Sequence, residues 1–184
     1  MKRFLFLIML PVIFLTSCTI EPTIPENART FSQYLEQKVL YQECVNYFET
    51  LGFDAMVSRN DYYSIEGTEN FSGLYLQNMK DKSLSPCTED CLVRLFEQTD
   101  VKLVDWIQRG ELYICSFDMC IPGKNFDFGV YFTSGDSPVY FGDPSVELSE
   151  SGNGFSYEKK ASYGAKFTYY TEQIEDHFYY YEIA

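Results

Sequence analysis

The sequence predicts an α+β fold, in which two α-helices pack on one antiparallel β-sheet of about six to eight strands. Three features support this prediction: one long stretch with helical spacing of apolar residues, many short segments rich in aromatic residues, and turns that contain glycine or serine. Tyr and Phe occur sixteen times each in the 184 residues, and both are favoured in strands. This aromatic content also excludes a disordered chain.

The first element is a helix predicted over residues 31–51. Thr30 followed three residues later by Gln33 matches a capping box, in which each side chain bonds the other residue's backbone N–H. Gly52 stands where helices commonly end. The apolar residues between them recur three to five positions apart: Phe31, Tyr34, Leu35, Val39, Cys44, Val45, Phe48 and Leu51.

Strands are predicted next at "FDAMVS", "DYYSIEG" and "FSGLYLQNM". The second helix is predicted to begin with Ser85 as N-cap and Pro86 as first helical residue, and to continue through "CLVRLFEQ". "VKLVDWI" and "ELYICSF" flank Gln108-Arg109-Gly110, which predicts a hairpin. "NFDFGVYFT" alternates between two sets of side chains and therefore predicts a strand. Short strands separated by turns follow, and "AKFTYYTE" with "DHFYYYEI" predicts a final hairpin.

The N-terminus has the pattern of an export signal. Lys2 and Arg3 precede twelve apolar residues, 4–15, a run too short for a membrane-spanning helix of about 20 residues. The next residues, Leu15-Thr16-Ser17-Cys18, resemble the lipobox of bacterial lipoproteins. This resemblance implies that Cys18 is lipidated and becomes the first residue of the mature chain. Because Thr19 follows and not the aspartate that retains lipoproteins at the inner membrane in enteric bacteria, the resemblance implies the outer membrane. The periplasmic face is expected in preference to the cell surface.

These signals divide the chain into three parts. Residues 1–17 are expected to be the signal peptide, and residues 18–30 the lipidated cysteine with a flexible tether that contains Pro22 and Pro25. Residues 31–184 are expected to form a single globular domain, because the remaining length suits one domain and not two.

The chain is strongly acidic, and this charge limits its partners. The formal net charge is −13, and removal of the leader with Lys2 and Arg3 makes it −15. Such a charge excludes nucleic acid, which binds through Lys and Arg. It favours a basic protein partner through the association rate. The alternative is that the acidity only keeps an exported protein soluble.

Five cysteines remain apart from Cys18, and exported proteins meet an oxidising compartment in which disulfides persist. An odd number leaves at least one unpaired within the chain. Cys115 and Cys120 flank "SFDM" at a predicted strand end, which favours a disulfide between them. Cys87 and Cys91 form the second predicted pair, and capture of one of them by Cys44 is an open alternative.

No enzymatic activity, metal or cofactor is predicted. His177 is the only histidine, and in "EDHFYYY" it is expected to be a packed or half-exposed strand residue. Ser156 and Lys159 match SxxK, but a strand sends residues three apart to opposite faces. A zinc site at Cys87 and Cys91 is not favoured, because export makes oxidation the expected fate. Carboxylate pairs can serve as acid and base, but among 27 acids sequence proximity is uninformative for the pairs considered, Asp136 with Asp143 and Glu147 with Glu150.

The leading hypothesis is a lipid-anchored module that binds another protein. In size, address and charge the chain resembles immunity or inhibitor proteins that neutralise a basic toxin or hydrolase in the periplasm. The predicted contact surface lies in the last hairpin, at Tyr179, Tyr180, Tyr181 and Glu182, because tyrosine suits contact surfaces. The alternatives are a structural or assembly subunit of an envelope machine and a periplasmic hydrolase that uses His177.

Overall fold

The structure, a computed structural model, describes residues 26–59, 73–119, 127–140, 142–160, 164 and 166–184. Within these residues two α-helices lie on one face of an antiparallel sheet. The helices are α1 (Glu26–Glu49) and α2 (Asp90–Gln98), and neither has the length and apolar character needed to cross a bilayer. The strands are β1 (Ala55–Arg59), β2 (Leu74–Asn78), β3 (Leu84–Cys87), β4 (Leu103–Arg109), β5 (Leu112–Asp118), β6 (Asp127–Thr133), β7 (Ser149–Ser151), β8 (Gly154–Lys160), β9 (Lys166–Glu175) and β10 (Phe178–Ile183).

The strands are ordered β3-β2-β1-β4-β5-β6-β10-β9-β8-β7 across the sheet. The predicted combination of two helices with an antiparallel sheet is confirmed in the part of the chain that the structure describes. The number of strands there is ten, which exceeds the predicted six to eight. Two short strands account for the difference: β3 was interpreted as the start of a helix, and β7 has only three residues. The strand predicted at residues 61–67 lies outside the described residues.

Helix α1 begins at Glu26, so it includes the last five residues of the predicted tether. Thr30 is therefore not the N-cap, and the predicted start at residue 31 is wrong. Thr30 lies one turn inside the helix and is only 1% exposed. The helix ends at Glu49, two residues before the predicted end; Gly52 beyond it has a φ of +68°, and the Leu51 N–H donates to the Phe48 carbonyl. Residues 1–25, with the predicted signal peptide and Cys18, lie outside the described residues.

Helix α2 begins at Asp90 with Glu89 as N-cap, so the predicted start at Ser85 and Pro86 is wrong. Those residues belong to β3, which pairs with β2. Among the described strands β3 is an edge, where proline is tolerated because its missing N–H need not face a neighbouring strand. The pairing with β2 therefore decides the conformation, in place of the local helix signal.

Both predicted hairpins are present. The β4–β5 turn contains Gly110 at a φ of +64°, one residue later than the centre of the predicted turn. The β9–β10 turn contains His177 at a φ of +65°, so His177 lies in a turn and not in a strand. Residues other than glycine seldom adopt this left-handed conformation, and histidine is among those that do so more often.

The sheet has a core on each face. The core beneath the helices contains α1 and α2 side chains together with one set of alternating strand residues. The other face carries the opposite set, and the segment 134–148 covers it through Val139, Tyr140 and Leu148. Strand β10 contributes to both cores, with Phe178 and Tyr180 towards the helices and Tyr179 and Tyr181 towards the segment 134–148.

Candidate functional site

Three loops meet at one end of the sheet and form the first candidate site. The Ser134 N–H donates to the Tyr113 carbonyl at 3.0 Å, and the Tyr113 N–H donates to Ser134 Oγ at 2.9 Å. The Thr133 N–H donates to the His177 carbonyl at 3.0 Å. These bonds place the β4–β5 turn, the segment after β6 and the β9–β10 turn side by side.

The His177 side chain fastens two of these loops together. Its Nδ1 lies 3.1 Å from the Thr133 carbonyl oxygen and 3.2 Å from that of Gly135, which makes Nδ1–H the donor. The half-buried ring also packs against Phe132 at a centroid distance of 5.9 Å. A histidine that donates to backbone carbonyls positions a loop, and this arrangement agrees with the predicted packing role.

Exposed acids and one exposed aromatic ring occupy this end of the sheet. Tyr113 is 38% exposed, and its ring stacks on Trp106 at 5.5 Å. Glu111, Asp136 and Asp176 are exposed on the three adjoining segments, and none of them has an ion-pair partner among the described residues. We call Glu111, Tyr113, Asp136 and Asp176 the acidic turn surface.

The acidic turn surface combines an exposed aromatic ring with unpaired carboxylates among the described residues. A tyrosine held on a second ring loses little side-chain entropy on binding, and its hydroxyl can bond at the edge of the contact. The ring face attracts Lys and Arg. Carboxylates around it attract the same cations.

A pair of aspartates on the helix-free face forms the second candidate site. Asp105 of β4 lies opposite Ser116 of β5, and Asp118 follows Ser116 by two residues, so all three side chains point to the same face. Asp105 and Ser116 line a cavity of about 240 Å³ with Ile107, Arg109 and other residues. The Tyr181 hydroxyl donates to Asp118 Oδ1.

Both carboxyl groups hold their protons more strongly than an exposed aspartate. Burial raises the pKa of Asp105 to about 6. Burial and then the charge of Asp105 raise the pKa of Asp118 to about 7, although hydrogen bonds from Tyr181 and Ser116 act in the opposite direction. A carboxyl group that is partly protonated near neutral pH can donate a proton, which is the property of a general acid.

The cysteines of the predicted disulfides do not lie where the sequence argument placed them. Cys87 ends β3 and Cys91 lies in the first turn of α2, so they do not share one helical turn, and both thiols are free. Cys115 is also free and lies in the middle of β5, whose extended chain continues until the Met119 N–H donates to the Phe128 carbonyl. The strand-end argument for a bond to Cys120 therefore no longer applies. Cys120 itself lies outside the described residues.

The predicted contact surface in the last hairpin requires correction. Tyr179, Tyr180 and Tyr181 are at most 2% exposed, because each face of β10 is covered by one of the two cores. They cannot contact a partner without unfolding of that cover. Glu182 is partly buried and accepts a hydrogen bond from the Tyr180 hydroxyl at 2.8 Å.

The other groups considered from sequence have structural surroundings. Ser156 and Lys159 lie in β8, where residues three apart face opposite sides. Asp143 accepts a hydrogen bond from Ser145 Oγ at 2.7 Å within its own loop, which lowers the pKa of Asp143. The Asp105–Asp118 pair was not identified from sequence. Its signal was two acids in apolar strands, and only the register of β4 with β5 brings them together.

Comparison with known proteins gives no match: no family model, no curated protein and no solved structure is similar to this chain.

Proposed function

We propose that this protein is a membrane-anchored envelope lipoprotein that binds another protein without catalysing a reaction. In its most concrete form it is an immunity or inhibitor protein that neutralises a basic toxin or hydrolase in the periplasm. The observation that carries the proposal is the exposed Tyr113 ring, held on Trp106 and accompanied by the three carboxylates of the acidic turn surface.

Long-range electrostatics supports a basic partner. The net charge of −13 creates an attractive field for a cationic protein, and the acidic turn surface concentrates part of that charge around an aromatic anchor. Exposed charges of this kind act mainly on the association rate, whereas a stacked aromatic ring acts on dissociation. The two parts of the surface therefore have separable kinetic effects.

The membrane anchor is tested by lipid labelling. We expect the full chain to incorporate a fatty-acid analogue at Cys18 and to sediment with membranes, because of the signal-like leader and the Leu15-Thr16-Ser17-Cys18 sequence. The Cys18→Ser variant should lose the label and should not be processed. Label retained in that variant would contradict the anchor.

The partner is tested by capture and then by kinetics. The full chain is first cross-linked to bound proteins in the periplasm of its own cells and is then purified in detergent. We expect it to retain a protein with a basic contact surface. We expect Glu111→Gln/Asp136→Asn/Asp176→Asn to slow association with that protein by roughly tenfold at low salt. Tyr113→Ala should mainly accelerate dissociation, by roughly thirtyfold for a contact of about 2 kcal/mol.

A matched control uses three exposed acids on the helices. Glu36→Gln/Glu49→Gln/Glu97→Gln changes the net charge equally but leaves the acidic turn surface intact. It should slow association less than the first triple variant. Equal slowing would show that only total charge matters. The rate should also fall as the screening length shrinks from about 30 Å at 0.01 M to about 8 Å at 0.15 M ionic strength, and a salt-independent rate would contradict the proposal.

The Asp105–Asp118 pair favours a second candidate function, a periplasmic hydrolase. Asp105 lines a cavity of about 240 Å³, and its neighbour Asp118 also has a raised pKa, which matches the need of acid–base hydrolysis for two carboxyl groups. Hydrolysis of glycosidic or ester substrates that is lost in both Asp105→Asn and Asp118→Asn would support this candidate. A structural role in an envelope machine is the remaining alternative, and it predicts co-purification with assembly components and not with a single basic protein.

A further inference from the structure

Helices α1 and α2 pack in antiparallel register. Glu43 Oε2 lies 2.5 Å from Arg94 Nη2, which joins the last third of α1 to the middle of α2. At the end of α1 and just after it, Tyr47 and Leu51 line a cleft with Cys87 and Glu89, which precede α2. Later residues of α1 therefore lie near earlier residues of the α2 region, so the two helices run antiparallel.

Cys44 and Cys91 face each other within this register. Cys44 is fully buried and Cys91 is 6% exposed, and both belong to the core beneath the helices. Glu43, next to Cys44, pairs with Arg94, which places Cys44 beside the first turn of α2, and the two thiols shift each other's pKa. Cys91 also lines an open cleft of about 400 Å³ with Glu43, Tyr47 and Arg94, so a small reagent can approach its sulfur from solvent.

The two sulfurs are chemically unequal. Cys91 lies in the first turn of α2, where free backbone N–H groups stabilise a thiolate. The Cys44 thiol lowers the pKa of Cys91, whereas Cys91 and then burial raise the pKa of Cys44. Because Cys91 lines the open cleft and lies in the first turn of α2, whereas Cys44 is fully buried, Cys91 is the attacking sulfur and Cys44 resolves the intermediate.

We propose that Cys44 and Cys91 form a disulfide that joins α1 to α2, by exchange with a disulfide oxidant. The Cys91 thiolate attacks one sulfur of the oxidant and expels a thiolate, which takes up a proton. The Cys44 thiolate then attacks Cys91 Sγ and expels the second half of the oxidant. Cys44 and Cys91 lose two electrons and two protons, and the oxidant gains them as two thiols.

This bond resolves the alternatives that the sequence leaves open. It replaces the predicted Cys87–Cys91 pair and leaves Cys87 and Cys115 as buried thiols. It also fixes α1, whose first residues overlap the predicted tether, to the rest of the domain. The inference does not depend on the identity of any partner, so its failure leaves the proposed function unaffected.

The test uses the full chain in detergent, incubated under native conditions with glutathione disulfide. After free thiols are alkylated, we expect a non-reducing peptide map to show Cys44 linked to Cys91, with Cys87 and Cys115 alkylated only after unfolding. A Cys87–Cys91 or Cys44–Cys115 peptide would overturn the proposal, as would complete alkylation of Cys44 and Cys91 after this treatment.

Serine variants test the order of attack. Cys44→Ser should retain glutathione on Cys91 as a mixed disulfide, whereas Cys91→Ser should acquire glutathione at Cys44 at least roughly tenfold more slowly. The reverse outcome would overturn the assignment of the attacking sulfur. Cys87→Ser and Cys115→Ser are matched controls that should still form the Cys44–Cys91 bond. These two controls test the Cys44–Cys91 pairing even if Cys44→Ser does not fold. If both controls fold and neither forms the Cys44–Cys91 disulfide, the pairing is rejected.

Discussion

On one face of the sheet, α1 and α2 cover a core of mainly aliphatic and phenylalanine side chains; on the other, the loop 134–148 covers a core rich in tyrosine. Among the described residues, tyrosine supplies three of twenty-six buried members of the first core and four of six of the second. The composition of each core therefore follows the kind of element that covers it.

The physical reason lies in backbone hydrogen bonds. A helix satisfies its own backbone groups, whereas a loop packed on a sheet needs other partners. Tyrosine hydroxyls provide them: the Val139 N–H donates to the Tyr131 oxygen at 3.1 Å, and the Tyr169 hydroxyl donates to the Val139 carbonyl at 2.8 Å. Tyrosine thus contributes apolar area and a hydrogen bond at the same position.

The largest effect is expected for Phe117→Ala in the core beneath the helices. The Phe117 ring is fully buried and contacts Tyr41 at a centroid distance of 4.8 Å. Its removal leaves a cavity, and the free energy of unfolding should fall by about 3–5 kcal/mol. Urea denaturation measures this change. A loss below about 1 kcal/mol would show that this core can collapse around the vacancy.

The loop-covered core is tested by removal of one hydroxyl. Tyr131→Phe keeps the ring stacked on Tyr179 at 5.2 Å but removes the acceptor for the Val139 N–H. An unsatisfied buried donor should lower the free energy of unfolding by about 1–3 kcal/mol. Tyr180→Phe is the matched control, because its hydroxyl bonds only the partly exposed Glu182 carboxylate among the described residues. Equal losses in the two variants would contradict the role assigned to loop cover.

Asp105 and Asp118 on the helix-free face should make the free energy of unfolding depend on pH. Burial raises the folded-state pKa of Asp105 to about 6 and of Asp118 to about 7, above the ordinary value of 3.8. The folded state therefore binds more protons between about pH 4 and pH 7, so these groups make the protein more stable as the pH falls through that window.

The Asp105→Asn/Asp118→Asn variant isolates this effect. We expect its free energy of unfolding to exceed that of the unchanged protein by a larger margin at pH 8 than at pH 5, and the two margins should differ by about 4 kcal/mol. Urea denaturation of both proteins at the two pH values measures this difference. A difference in the free energy of unfolding that is the same at both pH values would argue against the raised pKa values.

The smallest effect is expected outside both cores. Lys166 Nζ lies 2.6 Å from Glu158 Oε1, but both side chains are more than half exposed. Because water screens such a pair, Lys166→Ala should change the free energy of unfolding by less than about 0.5 kcal/mol. Thermal unfolding will detect a larger loss, which would mean that the outer strands depend on this pair.

Sequence patterns predicted the elements whose signals are local. The apolar spacing of α1, the alternation in β6 and the final hairpin all follow from side chains a few residues apart. The start of α2 could not be predicted in this way. Ser85 and Pro86 carry a helix-start signal, but pairing with β2 holds them in β3. Local preference loses here to hydrogen bonds with a distant segment.

The candidate sites depend on pairing even more strongly. Glu111, Asp136 and Asp176 belong to three separate turns, and no spacing in a chain with 27 acids identifies them as neighbours. Similarly, the tyrosines of β10 suggested a contact surface because they alternate. Their burial follows from a second cover, the segment 134–148, which has no regular pattern of its own.

The strand order also determines how this chain can assemble. Along the described sheet, only the β1–β4 and β6–β10 pairings join strands that are not consecutive in the chain. Each of the groups β1–β3, β4–β6 and β7–β10 can form early from local contacts, which favours fast folding. Strand β6 meets its second neighbour only when the last residues, Phe178–Ile183, are present. A growing or truncated chain without β10 therefore exposes an aromatic edge strand, and this intermediate is the one most prone to aggregate.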